Sequence, residues 1–208
     1  MTQFSLFGAA VAEPGLDDLG GVLLAGGHWV RSGDRARLSV VVADRWRADA
    51  LADEFAVRGV STLDEDVIVP AEGGLGVRTA FSAALEPHAA AWTRGANEGP
   101  PPGFELTPAG LRLWTIAVGR LDEAGYLLAT SPSPAGYARI GGGTPTEPDD
   151  AVHRTGGAQL SRLGVAAVSI SQRGGPGWRV TSLKRVRRLA ELVGVPPDGA
   201  GNNWPQVR

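Results

Sequence analysis

Cysteine is absent from the 208 residues, which removes any disulfide framework and every thiolate metal site. Histidine is scarce: His28, His88 and His153 stand too far apart in sequence to suggest a zinc cluster, so neither a metal nor any other cofactor is expected. No apolar run approaches the ~18 residues of a membrane span, and the opening MTQFSLFGAAVAEPG has no basic segment ahead of its short apolar stretch. No membrane partner and no secretory leader are therefore expected, which makes the cytoplasm the expected location. Positive charge is not in excess either, because the formal net charge is −2, a mild argument against a nucleic-acid binder. Lysine is nearly missing: Lys184 stands alone beside 19 arginines, a bias that coding composition explains as readily as a need for bidentate phosphate contacts.

What is present changes this picture. Hydrophobic residues make up 43% of the chain, enough to bury a core as one domain or as two small, similar halves. The charge is segregated: residues 151–208 carry 9 basic and 2 acidic groups, whereas residues 1–150 carry 11 basic and 20 acidic ones. Such a division can place a basic surface on an acidic protein.

Two glycine-rich stretches, PAEGGLGVR at 70–78 and SQRGGPGWR at 171–179, share the frame G-G-x-G-x-R. Neither ends in the G-K-[ST] that a phosphate loop needs at a helix start. Both lie between strand-like runs, so each reads as a hairpin turn whose glycines accept positive φ. The echo itself points to a repeat.

Reading outward, the first half gives a helix at LDDLGGVLLAGG, a hairpin HWVRSGDRARLSVVVA, a helix DRWRADALADEFAVRGV with Asp44 as N-cap and Gly59 as stop, a second hairpin at DVIVPAEGGLGVRTAF, and a helix around ALEPHAAAW. The second half repeats the order, beginning at Thr107-Pro108, an N-cap followed by proline at the first helical position. The fold class expected is α+β, with two tandem α-β-β-α-β-β-α units. Residues 1–92 form the first unit with an N-terminal arm, 93–108 a Pro/Gly-rich linker, 109–194 the second unit with an irregular insertion at 131–148, and 195–208 an irregular tail.

Helices on one side of each antiparallel sheet leave the other side open. In RARLSVVV, Ala36, Leu38, Val40 and Val42 suit the helical layer, and Arg35, Arg37, Ser39 and Val41 the open face. By the same alternation Arg78, Ser169, Ser171, Arg173, Arg179 and Thr181 are expected on the open face, opposite Val77, Val168, Ile170, Trp178 and Val180. Trp29 and Trp178 are equally suited to packing below a sheet or stacking on a base, while Trp114 reads as core. The run Lys184 to Arg188 reads either as a functional basic cluster or as the solvated face of the last helix.

In its element order and at the head of each unit, the sequence resembles the LAGLIDADG family, which includes homing endonucleases and WhiA-type transcription regulators; the resemblance covers roughly residues 16–194. The signature nonapeptide has a partner in LGGVLLAGG at 19–27 and, more weakly, in LRLWTIAVG at 111–119. The resemblance implies a pseudo-twofold saddle in which two motif helices cross closely, with Gly21, Ala25, Ala117 and Gly119 as the small residues where they meet. It also implies an acidic residue at the eighth motif position of a nuclease, where a divalent metal sits beside the scissile phosphates. Gly26 and Val118 stand at those positions. Neither ligates a metal, so no enzymatic activity is expected.

The expected function is thus non-catalytic binding of double-stranded DNA by an Arg-rich concave sheet surface, with transcription regulation as the expected role, in a monomer with internal pseudo-symmetry. The contacts expected are Arg31, Arg35, Arg37, Arg78, Arg120, Arg173 and Arg179, with Ser39, Ser169, Ser171 and Thr181 as secondary polar contacts. The WhiA-type helix-turn-helix domain has no counterpart in the chain. One alternative is a protein-interaction module that holds a partner chain on the same open face; another is a metal-dependent nuclease using Asp122 or Glu123.

Overall fold

The computed structural model describes residues 13–61, 67–95, 97–130, 150–170 and 176–206. A 3-10 turn (Leu16–Leu19) leads into α1 (Gly20–Leu24), followed by β1 (His28–Ser32), β2 (Arg35–Val42), α2 (Arg45–Val57), β3 (Ile68–Ala71), β4 (Gly74–Arg78) and α3 (Glu86–Trp92). After the short pair β5 (Thr93–Arg94) and β6 (Asn97–Glu98), the order α-β-β-α-β-β-α occurs a second time as α4 (Pro108–Val118), β7 (Gly119–Asp122), β8 (Gly125–Ala129), α5 (Asp150–Arg162), β9 (Val168–Ile170), β10 (Gly177–Val180) and α6 (Leu183–Val193). Each half builds a four-stranded antiparallel sheet with its second hairpin inserted in the same sense, β1-β2-β4-β3 and β7-β8-β10-β9.

The local chemistry accounts for the ends of these elements. Thr107 caps α4 by accepting the Gly110 N–H at 2.8 Å, with Pro108 in the first turn, where its missing N–H costs nothing. The first GGxG stretch is a hairpin turn: Ala71 pairs with Gly74, Gly73 has φ 79°, and a Cβ on Gly74 would overlap the Val42 carbonyl of β2. The turn of the second copy, residues 171–175, lies outside the described residues, as does the insertion at 131–148, but its flanking strands β9 and β10 pair antiparallel.

Alternation in β2 follows the apolar pattern, with Ala36, Leu38, Val40 and Val42 all buried. Together with Val77, Tyr126, Leu128 and Val180 they meet the buried faces of α1, α2, α4 and α6 in one apolar core that runs through both halves. Trp114 of α4 is fully buried there and donates its indole N–H to the Ala129 carbonyl at 2.7 Å, which removes the cost of an unpaired polar atom.

Two segments that read as loose in sequence are packed. In the Pro/Gly-rich linker, the Leu106 N–H donates to Gln159 Oε1 at 3.1 Å, the Gln159 amide donates to the Phe104 carbonyl at 2.7 Å, and Phe104 meets Trp92 edge-on at 5.2 Å. In the tail, Trp204 is buried, donates to the Gly194 carbonyl at 2.9 Å and lies 5.3 Å from the Arg112 guanidinium. Proline and glycine marked these segments as linker and irregular tail, yet the first holds the β5–β6 pair and the second a 3-10 turn at Gly201–Asn203; the aromatic and leucine side chains among them supply the docking.

Candidate nucleic-acid interface

Strand register assigns the face opposite the helices. On the first sheet that face carries Arg35, Arg37, Ser39 and Val41 of β2, with Arg78 in register with Ser39, and His28 in register with Ser39 on the other side. The Arg37 guanidinium stands 4.5 Å above the Phe81 ring, a contact that orients the side chain. Arg35 has no charged partner among the described residues. On the second sheet, Arg120 and Arg179 flank Leu127 in register, and Arg120 likewise has no charged partner among the described residues. Arg179 is held by Asp122, whose Oδ2 accepts from Nη2 at 2.6 Å and from Nε at 3.0 Å. The second sheet carries its two arginines around Val168, Ile170 and the buried Leu127, with Arg179 paired to a carboxylate.

Several expected contacts lie elsewhere. Arg31 pairs in register with the buried Ala36, so it points to the helical side, where it forms an ion pair with Glu86 at the start of α3. Ser169 pairs with Trp178, and both turn toward α5: the Ser169 hydroxyl lies 2.8 Å from His153 Nε2, the Trp178 indole donates to the His153 carbonyl at 3.0 Å, and the two rings stack at 4.6 Å. The alternation reading failed for β9 because it is a three-residue edge strand: Val168 remains 56% exposed, so apolarity was no guide to its inner face. Thr181 is exposed beyond the end of β10, in a recess with Leu183 and Trp204. Ser171 and Arg173 lie outside the described residues.

The helix crossing is tighter than the motif alone indicated. A Cβ on Gly21 would overlap the carbonyl of Gly110, so the α1 and α4 backbones touch at a pair of glycines, and the second of these stands one place ahead of the 111–119 stretch. Ala25 and Ala117 are buried. Gly119 is not part of the helix-to-helix approach: it ends α4 and begins β7, and its open side is filled by the Tyr126 hydroxyl and the Thr115 carbonyl of its own helix. The crossing is clamped by Asp18, which is buried and accepts from Thr107 Oγ1 at 2.6 Å and Arg58 Nη2 at 2.9 Å. The charge pair continues through Glu54, which accepts from Arg58 at 2.7 Å and from Arg112 of α4 at 2.6 Å. Every member of this chain that is withdrawn from water has an opposite charge or a hydrogen bond.

The far end of α4 holds the residue that sequence reasoning missed. Arg47 of α2, 5% exposed, donates to the Ile116 carbonyl at 2.7 Å, to the Gly119 carbonyl at 2.7 Å and to Asp44 at 2.9 Å, with its guanidinium 4.4 Å from the Trp46 ring. A cation here satisfies the orphan carbonyls that end a helix and complements the negative end of its dipole. In DRWR the side chain reads as a solvated helix charge; its partners lie about seventy residues away, beyond any local pattern.

The arrangement at the motif ends does not fit the divalent metal that nucleases of the LAGLIDADG family use. Val118 is buried in the apolar core. Gly26 has φ 91°, a conformation that an aspartate adopts only under strain. The oxygens at the end of α4 are taken by the Arg47 guanidinium, Asp122 is taken by Arg179, and among the described residues no three His, Cys, Asp or Glu side chains cluster. Tyr126, fully buried beneath this end of α4, is pushed well above the usual phenol range by burial, and its hydroxyl donates to the Asn203 carbonyl at 2.8 Å.

Among the described residues no helix is long and apolar enough to cross a membrane. No protein-family model matches the sequence, and no curated protein matches it. Among solved structures, the homing endonuclease I-WcaI bound to its DNA recognition sequence is similar with a TM-score of 0.61 and 11% identity, over 89% of this chain and 84% of that one. At that identity the likeness concerns the fold. With two antiparallel sheets covered by helices on one side, the chain has the LAGLIDADG homing-endonuclease fold.

Proposed function

We propose that the protein binds double-stranded DNA on the open sheet face without cutting it. The observation that carries this reading is the convergence of Arg35, Arg37, Arg78, Arg120 and Arg179 on the face opposite the helices, in two sheets that share one core. Their guanidiniums would grip phosphates and set register, and an unpaired arginine can also read guanine edges in the major groove. A fold shared with a DNA-bound endonuclease supports the same use of the surface.

The donor set supports the absence of cleavage. Phosphodiester hydrolysis of the two-metal kind needs carboxylates that bridge metal ions at the reacting phosphate. Here the corresponding places hold a glycine, a buried valine and a guanidinium. The residual role is occupancy of a DNA site, which suits a regulatory protein acting as a monomer in the cytoplasm.

A titration against fluorescent duplex in EDTA, at low and moderate salt, tests the binding, and plasmid incubation with magnesium or manganese tests the chemistry. Affinity that persists in EDTA and falls steeply with salt, with no nicking, is the expected result. Nicking that requires metal would overturn the non-catalytic part.

A second reading has one observation in its favour. The second sheet combines exposed Val168 and half-buried Ile170 with an arginine already neutralised by Asp122, a mixed floor that suits a partner polypeptide. Binding of no duplex even at low salt, with capture of a protein that the Val168→Asp variant no longer holds, would favour it.

A further inference from the structure

Many cations of this chain are already spent inside it. Arg31, Arg45, Arg47, Arg58, Arg112, Arg162 and Arg179 all face carboxylates. On helix α6, Lys184, Arg185 and Arg187 are exposed and have no partner among the described residues, and Arg188 makes 3.5 Å contacts with the Leu163 carbonyl and with Glu191.

At 3.6 residues per turn, positions 184, 185, 187, 188 and 191 fall on one arc of the helix, directly opposite Val186, Leu189 and Val193, which are buried in the core. The arc lines a shallow recess with Gly164 and Ser182, the N-cap of α6, whose hydroxyl makes no capping bond. α6 packs on α4, so this basic comb lies on the helical side of the molecule. A helix layer of about 10 Å and the helix's own width separate it from the open sheet face.

We propose that this face of α6 is a second nucleic-acid contact, a phosphate-backbone grip that engages a different duplex from the one on the sheets. The chemistry favours a nucleic acid over the other polyanions. The arc carries four cations against Glu191, and its apolar side chain, Leu192, is half-buried, so an acidic protein would find little of the apolar and aromatic anchoring that dominates protein interfaces. Val186, Leu189 and Val193 of α6 are buried in the core, which leaves Leu183 at the head of the helix as its exposed large apolar side chain, too little to anchor it in a lipid surface. A row of cations with a free hydroxyl at its head matches a line of phosphates, and such a grip is independent of sequence. The proposal stands apart from the open-face reading, since neither set of residues belongs to the other.

The test counts duplexes. The full chain is titrated at low salt with a duplex of about 20 base pairs, two helical turns, and stoichiometry is read by sedimentation. The wild type is expected to bind two duplexes, and Lys184→Glu/Arg185→Glu/Arg187→Glu one, with the affinity of the remaining site changed less than about twofold and that of the lost site by more than about tenfold. The milder Arg185→Gln/Arg187→Gln guards against a folding defect and should weaken the second site alone. Loss of both duplexes by Arg37→Ala/Arg179→Ala, or a single duplex on the wild type with no change in the α6 variants, overturns the proposal. So does polyglutamate binding to α6 as tightly as DNA. A wild type that keeps one duplex through α6 while the open-face variants change nothing would sustain this proposal and contradict the previous one.

Discussion

At the scale of single residues, Arg47 joins the halves of the molecule by chemistry that no neighbouring residue supplies. Its fork satisfies two carbonyls at the end of α4 while Asp44 balances its charge. Arg47→Ala leaves those carbonyls unpaired and is expected to cost about 3 kcal/mol in chemical denaturation. Arg47→Lys should recover only part of the loss, because one ammonium cannot reproduce the planar fork. Glu98 poses a smaller, pH-dependent case. Burial pushes its carboxyl above the usual range, against the Trp29 N–H it accepts at 3.0 Å and the charge of nearby His28. A carboxyl whose pKa is raised by folding contributes stability that is present at acid pH, below its unfolded pKa, and is lost as pH rises through its folded pKa. Glu98→Gln keeps the acceptor and removes the charge, so its thermal midpoint should exceed that of the wild type at neutral pH and converge with it near pH 4, the ordinary glutamate range.

Elements determine how the halves meet. The contact of α1 with α4 at Gly21 and Gly110 admits no side chain, and Gly21→Ala is expected to destabilise by about 3 kcal/mol, measured by urea denaturation, because the clash is with backbone and cannot be relieved by a rotamer change. Much at this scale was legible in the chain. Hairpins followed from alternation and Gly turns, α4 from Thr107-Pro108, and the inner face of β2 from its regular Ala-Leu-Val-Val pattern. What escaped had a physical reason in each case. Ser169 was misplaced because β9 has no buried apolar face to reveal its phase. Gly110 was overlooked because it precedes the stretch that aligns with the motif. α1 is shorter than the apolar run LGGVLLAGG suggests, since Gly26 adopts a positive φ and closes the helix after Leu24. The packed linker and tail were hidden because proline and glycine signal irregular backbone whether or not the side chains between them dock.

The whole molecule is a pair of like-ordered halves on a common core, with arginines on the open faces of its two sheets and a second cationic row on α6. That division of charge was visible in the sequence as an asymmetry between its two ends, but the sequence could not say which cations are neutralised internally; ion pairs such as Arg31 with Glu86 and Arg179 with Asp122 decide it. The central claim, that the open sheet face holds duplex DNA, is tested most directly by the salt dependence of binding in the wild type and in Arg37→Ala/Arg179→Ala. Each phosphate contact contributes about 0.9 to the slope of log affinity against log salt. The account predicts a steep wild-type slope that becomes shallower by about 2 in the double variant, with weaker binding at every salt concentration. Equal slopes and affinities for the two proteins would contradict it.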